Sequence, residues 1–208
     1  MRNGVARPNL AVHLCGSHGG THTGTDGSSA QSTEDLAIYR TLPNVTVMHP
    51  ADDVSTKLLT KQLVSHGKPS YTRTARNKTP VLYDGREDEV QIGRGIVHGD
   101  GKDVTIVACG VMVSRSLEAA ELLRADGIGA TVVDMHTLKP LDTDLLDRLA
   151  ASTGCMVTAE DHSIIGGLGG AVAEHLISSR PVPLERVGVQ DRFGESAQAE
   201  DCLLYTSP

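Results

Sequence analysis

From residue 103 the chain alternates short apolar runs with stretches of helical period. VTIVACG (104–110) is apolar and β-branched, and SRSLEAAELLRADG after it puts Leu117, Ala120 and Leu123 on one helical face with Gly127 as the stop. ATVVDMH (130–136) leads into LDTDLLDRLAASTG, where Leu141, Leu145, Leu146 and Leu149 recur at helical spacing and Gly154 closes the turn. CMVTAEDH (155–162) precedes a helix beginning in GGLGGAVAEHLIS, and PLERVGV reads as a further strand. Strands starting near 104, 130, 155 and 184 are too widely spaced for hairpins, and the helices between them are the crossovers that parallel strands require. Residues 104–208 are therefore predicted to form an α/β domain with a mostly parallel sheet.

The first half, residues 1–76, follows the same rhythm. LAVHLCG is a strand, STEDLAIYRTL a short helix capped by Ser32 or Thr33, and VTVMHP a strand. DDVSTKLLTKQLVSHG is a helix opening on Asp52 and Asp53, and PSYTRTA is another strand. Three parallel strands with two helices leave one flank uncovered, so part of this domain is expected upstream. Between the halves, residues 77–103 are polar and turn-rich, with EVQIGRGIVH as a strand pair, and read as an interdomain connection. At the other end the chain stops where a terminal helix should be starting, so Cys202 and Tyr205 carry no weight.

Composition narrows the functional classes. The 208 residues are 39% hydrophobic and 22% charged, ordinary values for a globular protein, and no apolar run reaches the roughly 18 residues of a membrane span. The opening MRNGVARPNLAVHLCG is too broken to be a secretory signal, and a cytoplasmic location is expected. Cys15, Cys109, Cys155 and Cys202 form no CxxC pair, so neither a zinc cluster nor a disulfide framework is expected, only reduced and mostly buried thiols. A net charge of -7, with four Tyr, one Phe and no Trp, argues against a nucleic-acid partner. Anionic small molecules stay open, because a few Arg and His at one pocket outweigh a diffuse negative surface.

The candidate chemistry concentrates in GSHGGTHTGTDGSSAQSTEDL, residues 16–36. His13, His18, His22 and Asp26 supply metal-ligand types, but no helical i, i+4 pair aims two of them at one point. Cys15 with His18, or Ser17 with His18 and Asp26, could be drawn as hydrolytic groups, yet neither carries a nucleophile-elbow signature, and Cys15 at a strand end reads as a small core residue. The third reading uses the fold: a loop after a parallel strand lies at the carboxyl edge of the sheet, where open α/β proteins bind ligands. TRTAR ends another strand of that sheet, so Arg76 is expected beside His18 and Asp26. Such a set suits a phosphorylated polyol, with cations for phosphate and a carboxylate for hydroxyl, and the competing reading of Arg76 is a surface ion pair.

SHGGTHTGTDGSSAQSTEDLAIYRTLPNVTVMHPADD resembles the pyrimidine-binding domain of the transketolase family, and PSYTRTARNKTPVLY resembles the strand that ends it. VTIVACGVMVSRSLEAAELL, VVDMHTLKPLD, TAEDHSIIGGLGGAVAEHL and VGVQDRFGESA resemble the family's carboxyl-terminal domain in order. Within the thiamine-dependent superfamily, deoxyxylulose-phosphate synthase and the β subunits of 2-oxo acid dehydrogenases are the alternatives. STEDLAIYRTLPN and DRFGES are most similar to transketolase, in particular to the C-terminal subunit of its split form.

The resemblance implies a transferase (EC 2.2.1.1) of pentose phosphate metabolism that passes a two-carbon ketol unit from a ketose phosphate to an aldose phosphate. The implied cofactor is thiamine diphosphate with Mg2+, held mostly by a separate N-terminal half, in a homodimer or heterotetramer. By the same match, His18 is a substrate contact, Arg76 holds the sugar phosphate, and Asp26 bonds a donor hydroxyl near the reacting carbon. Thr25 and Ala30 depart from the pattern, standing where the family has a glutamate and a channel histidine. The activating glutamate and the Gly-Asp-Gly segment for magnesium and diphosphate are expected outside this chain, which alone should be inactive. A noncatalytic dimerisation module and a small hydrolase are the other classes open. The GGLGG run (166–170) lacks the acidic ribose partner of a dinucleotide site, and Glu160, Asp161 and His162 are read as structural.

Overall fold

The computed structural model describes the backbone of residues 1–206 and side chains through Leu203; the side chain of Tyr205, and Ser207 and Pro208, lie outside the described residues. After an amino-terminal turn of helix come β1 (His13–Ser17), α1 (Asp35–Arg40), β2 (Thr46–Met48), α2 (Asp53–His66) and β3 (Ser70–Thr74). The second half contains β4 (Ile96–His98), β5 (Val104–Ala108), α3 (Met112–Ala125), β6 (Ala130–Asp134), β7 (Thr137–Lys139), α4 (Thr143–Thr153), β8 (Met156–Ser163), α5 (Leu168–Ser179), β9 (Leu184–Val189) and α6 (Ala199–Thr206). Among the described residues no helix is long and apolar enough to cross a membrane.

Two mainly parallel sheets result, as the alternating pattern predicts. The first has the order β1-β3-β2-β7 and the second β4-β6-β5-β8-β9. Within the first, β3 pairs in parallel with both β1 and β2, with Gly16 opposite Arg73. The fourth strand is a departure: β7, from the second half, runs antiparallel to β2 in a segment whose pattern does not predict a strand. The expected strand pair over 89–98 is also corrected, because β4 alone forms there and lies antiparallel to β6.

Helix boundaries follow local chemistry. Asp52 caps α2 by accepting from Ser55 N at 2.7 Å while Ser55 Oγ accepts from Asp52 N, and Gly67 ends the helix at φ +69°. Asp142 caps α4, and Gly154 stops it at φ +70°. The capping of α1 differs from expectation: neither Ser32 nor Thr33 serves, and Glu34 occupies the N-cap position without a side-chain cap.

The apolar core has two clusters, and each draws on both halves. Leu36, Val47 and Tyr71 pack with Met135, Leu138, Leu146 and Leu168; Met48, Leu59 and Leu63 pack with Ile106, Val113 and Val132. The connection is fastened by Tyr83, fully buried, whose hydroxyl donates to Asp134 Oδ2 at 2.6 Å while its backbone N–H and that of Leu82 donate to Asp52 Oδ2. Burial raises Asp134 to about 7 despite the opposing Tyr83 hydrogen bond, and Asp52 adds to the rise.

Candidate functional site

The loop after β1 turns at His18, a non-glycine residue at φ +65°, and becomes a short 3-10 stretch over Thr21–Asp26. Its interior is buried from Thr21 to Gly24, and its end, with Thr25 and Asp26, is exposed. The loop is tied to itself through Thr23 Oγ1 donating to His18 O at 2.6 Å, Gly20 N to Ser32 O at 2.7 Å, and Gln31 Nε2 to Gly24 O at 3.1 Å.

Asp26 and Arg76 meet at the carboxyl edge of the first sheet, with Arg76 Nε 2.9 Å from Asp26 Oδ2 and both side chains about one-third exposed. The fold thus joins two of the three residues singled out in the sequence. His18 stays apart: its Nδ1 is 2.9 Å from Ser17 Oγ and its side chain is exposed. Asn77 bridges back to the loop by donating from Nδ2 to His22 O at 2.7 Å. A cleft of about 200 Å³ opens at Arg76 between Thr23–Thr25 and Gln198–Glu200 of the carboxyl-terminal segment. A larger cleft of about 490 Å³, lined by Lys57, Thr74 and Lys78 among others, shares Asn77 with it.

The competing groupings are not brought together among the described residues. The Ser17–His18 pair lacks its third member, since Asp26 is engaged by Arg76. Cys15 is not the small core residue expected: it is exposed, because His13, Cys15 and Ser17 share the open face of β1 while Leu14 and Gly16 are half-buried. The mostly buried thiols expected are Cys109 and Cys202. His13 Nδ1 pairs with Ser70 Oγ at 2.9 Å, and His22 is buried within the loop. Among the described residues no group of three or more His, Cys, Asp or Glu could hold a metal ion.

Behind the loop runs a buried polar seam that reasoning from sequence missed in part. Arg73, fully buried in β3, donates from Nη2 to Asp161 O at 2.6 Å and lies 3.5 Å from Asp35 Oδ1. Asp35 Oδ2 accepts from the Tyr71 hydroxyl at 2.6 Å, and burial pushes that phenol well above its ordinary value. Asp161 accepts from Thr21 N at 2.8 Å, Thr21 Oγ1 at 2.7 Å and His22 N at 3.0 Å. Glu160 accepts from Leu168 N and Gly169 N, which caps α5, yet burial still raises it to about 7. His162 donates from Nδ1 to Ser163 O and accepts from Ala37 N at Nε2, and burial, then Arg73, lower its pKa, so it is neutral. All three side chains are engaged in hydrogen bonds within the fold, and the grip of Asp161 on the loop is not visible in the sequence. The one available signal for Arg73 was its parity with Tyr71 in SYTRT, which places both on one face of β3.

Two mainly parallel sheets joined at a shared seam, with an arginine–carboxylate pair on the carboxyl edge of the first, define a mixed α/β protein of two domains. The family described as "Transketolase, pyrimidine binding domain" matches residues 1–81, and "Transketolase, C-terminal domain" matches residues 93–208. The chain belongs to the transketolase family. It is 44% identical over 191 residues to the 6-deoxy-6-sulfo-D-fructose transketolase subunit SqwH of a Clostridium species, covering 92% of this chain and 59% of that protein. Rat transketolase is 37% identical over 192 residues, covering 90% of this chain and 31% of that one. A solved structure described as "Split gene transketolase, inactive beta4 tetramer" superposes with a TM-score of 0.91 at 45% identity, over 99% of this chain and 65% of that chain. The chain thus corresponds to a split transketolase-type C-terminal section and spans about three-fifths of these subunits.

Proposed function

We propose that this chain is the substrate-holding part of a ketol-transferring transketolase (EC 2.2.1.1), acting with a separate N-terminal half in an oligomer and, without that half, inactive. The observation that carries this reading is the Arg76–Asp26 pair at the sheet edge beside the Thr21–Asp26 loop. Arg76 takes the anionic terminus of the donor sugar, with Nε committed to Asp26, Nη1 donating to Asn77 Oδ1 at 3.3 Å, and Nη2 offered to the incoming oxygens. The relatives named for sulfofructose and for apulose-4-phosphate support an anionic sugar, sulfonate or phosphate, as the substrate class. Asp26 accepts from a donor hydroxyl, and His18, exposed at the loop's entrance, makes a second sugar contact. Thiamine diphosphate with Mg2+, bound mainly by the partner half, supplies the carbon nucleophile and electron sink. Residues 1–76 and 104–208 act as the two domains, with 77–103 as their connection.

The test is Arg76→Ala in the complex with the diphosphate-binding half. Loss of a charged hydrogen bond of about 1.5–3 kcal/mol raises KM for a phosphorylated donor roughly 10- to 150-fold. An unphosphorylated ketose should change little. Equal effects on both donors refute the anion-holding role.

A further inference from the structure

We propose that Asp161 is a positioning residue for the sugar site: presented by β8 of the second sheet and backed by Arg73 of the first, its carboxylate caps the loop that carries Asp26. The inference rests on the proposed sugar-binding reading of that loop.

The Asp161 carboxylate is spent on the loop. Oδ1 accepts both the backbone N–H and the hydroxyl of Thr21, and Oδ2 accepts the backbone N–H of His22. Thr21 and His22 open the 3-10 stretch, so their N–H groups are the ones a helical turn leaves without internal partners. The cap comes from a residue 140 positions away, on the other domain, and is buried. Charge-assisted hydrogen bonds out of water hold geometry more tightly than exposed ones.

Arg73 fixes the cap in turn. Its Nη2 donates to the Asp161 carbonyl and lies 4.0 Å from Asp161 Oδ2. The loop can approach this pair only through glycine: a Cβ at Gly19 would strike Arg73 Nε, and one at Gly20, at φ +83°, would strike Arg73 Nη2 and Asp161 Oδ2. From the capped residues two short paths reach the site. One runs along the 3-10 turn to Asp26, and the other runs through His22 O to Asn77, the neighbour of Arg76. Both members of the Asp26–Arg76 pair are thereby referenced to one carboxylate of the second domain.

Asp161→Asn keeps the shape but turns an amide N–H toward one of the loop's donors, and Asp161→Ala removes the cap. In the complex with the diphosphate-binding half, donor KM should rise roughly tenfold in Asp161→Ala while kcat stays within about threefold, with Asp161→Asn intermediate. In the chain itself, amide exchange at Thr21 and His22 should quicken roughly tenfold while Val107 in β5 keeps its protection. A fall in kcat at constant KM, or unchanged exchange at Thr21 and His22 in both variants, overturns the role. If Asp161→Ala does not fold, the same readings on Asp161→Asn decide. A wild-type complex without ketol transfer would remove the proposed function, and the exchange result would still judge the cap independently.

Discussion

Replacing Asp134 by Asn should flatten the pH dependence of stability. Burial holds this carboxyl at about 7 in the folded chain against an ordinary value of 3.8, with Asp52 reinforcing the rise and the Tyr83 hydroxyl opposing it. The folded state therefore keeps a proton that the unfolded chain releases. Its contribution is present at low pH and lost as pH rises through the folded value. By proton linkage the loss between pH 5 and pH 8 is roughly 2–3 kcal/mol, on the order of 1 M in a urea midpoint. Glu160, also raised by burial to about 7, adds a loss of the same sign, while buried His49, His136 and His162, all lowered by burial, act oppositely below their unfolded value. The comparison of wild type with Asp134→Asn cancels those shared contributions. Asn keeps a carbonyl to accept from Tyr83, so the variant should match or exceed wild type at pH 8 and be outstripped by it at pH 5. Urea unfolding at constant ionic strength over that range is the assay. Parallel curves for the two proteins would refute the assignment of a buried, protonated Asp134.

Two further outcomes follow from the loop and the exposed thiol. Gly20→Ala places a methyl against Arg73 and Asp161 at a positive φ, and should cost about 2 kcal/mol or more in thermal or urea unfolding. Iodoacetamide should label Cys15 before Cys109, and full labelling of Cys15 should leave ketol transfer intact; loss of activity in step with labelling, followed by mass spectrometry, would return Cys15 to the site.

What could be read from the chain was whatever is written locally. Period and glycine stops located α3 and α4, and the two aspartates located the start of α2. Resemblance brought out Asp26 and Arg76, which the structure joins, and His18, which it leaves apart. Features that depend on distant partners were hidden. β7 is three residues long, and its partner strand β2 lies some ninety residues earlier. The Asp161 cap spans both domains, so AEDH alone gives no hint that its second acid turns toward Thr21. A position at a strand end says nothing of which face Cys15 takes, and alternation puts it on the open face with His13 and Ser17.

The strand β7 gives the molecule a property its linear order disguises. Because Thr137–Lys139 complete the sheet that His13–Thr74 begin, the boundary drawn in sequence is not a boundary of structural self-sufficiency. A chain cut anywhere in 77–103 would separate the first sheet from its last strand and divide the members of both apolar clusters between two pieces. The two sheets depend on each other for burial and pairing, so neither half carries a complete core of its own.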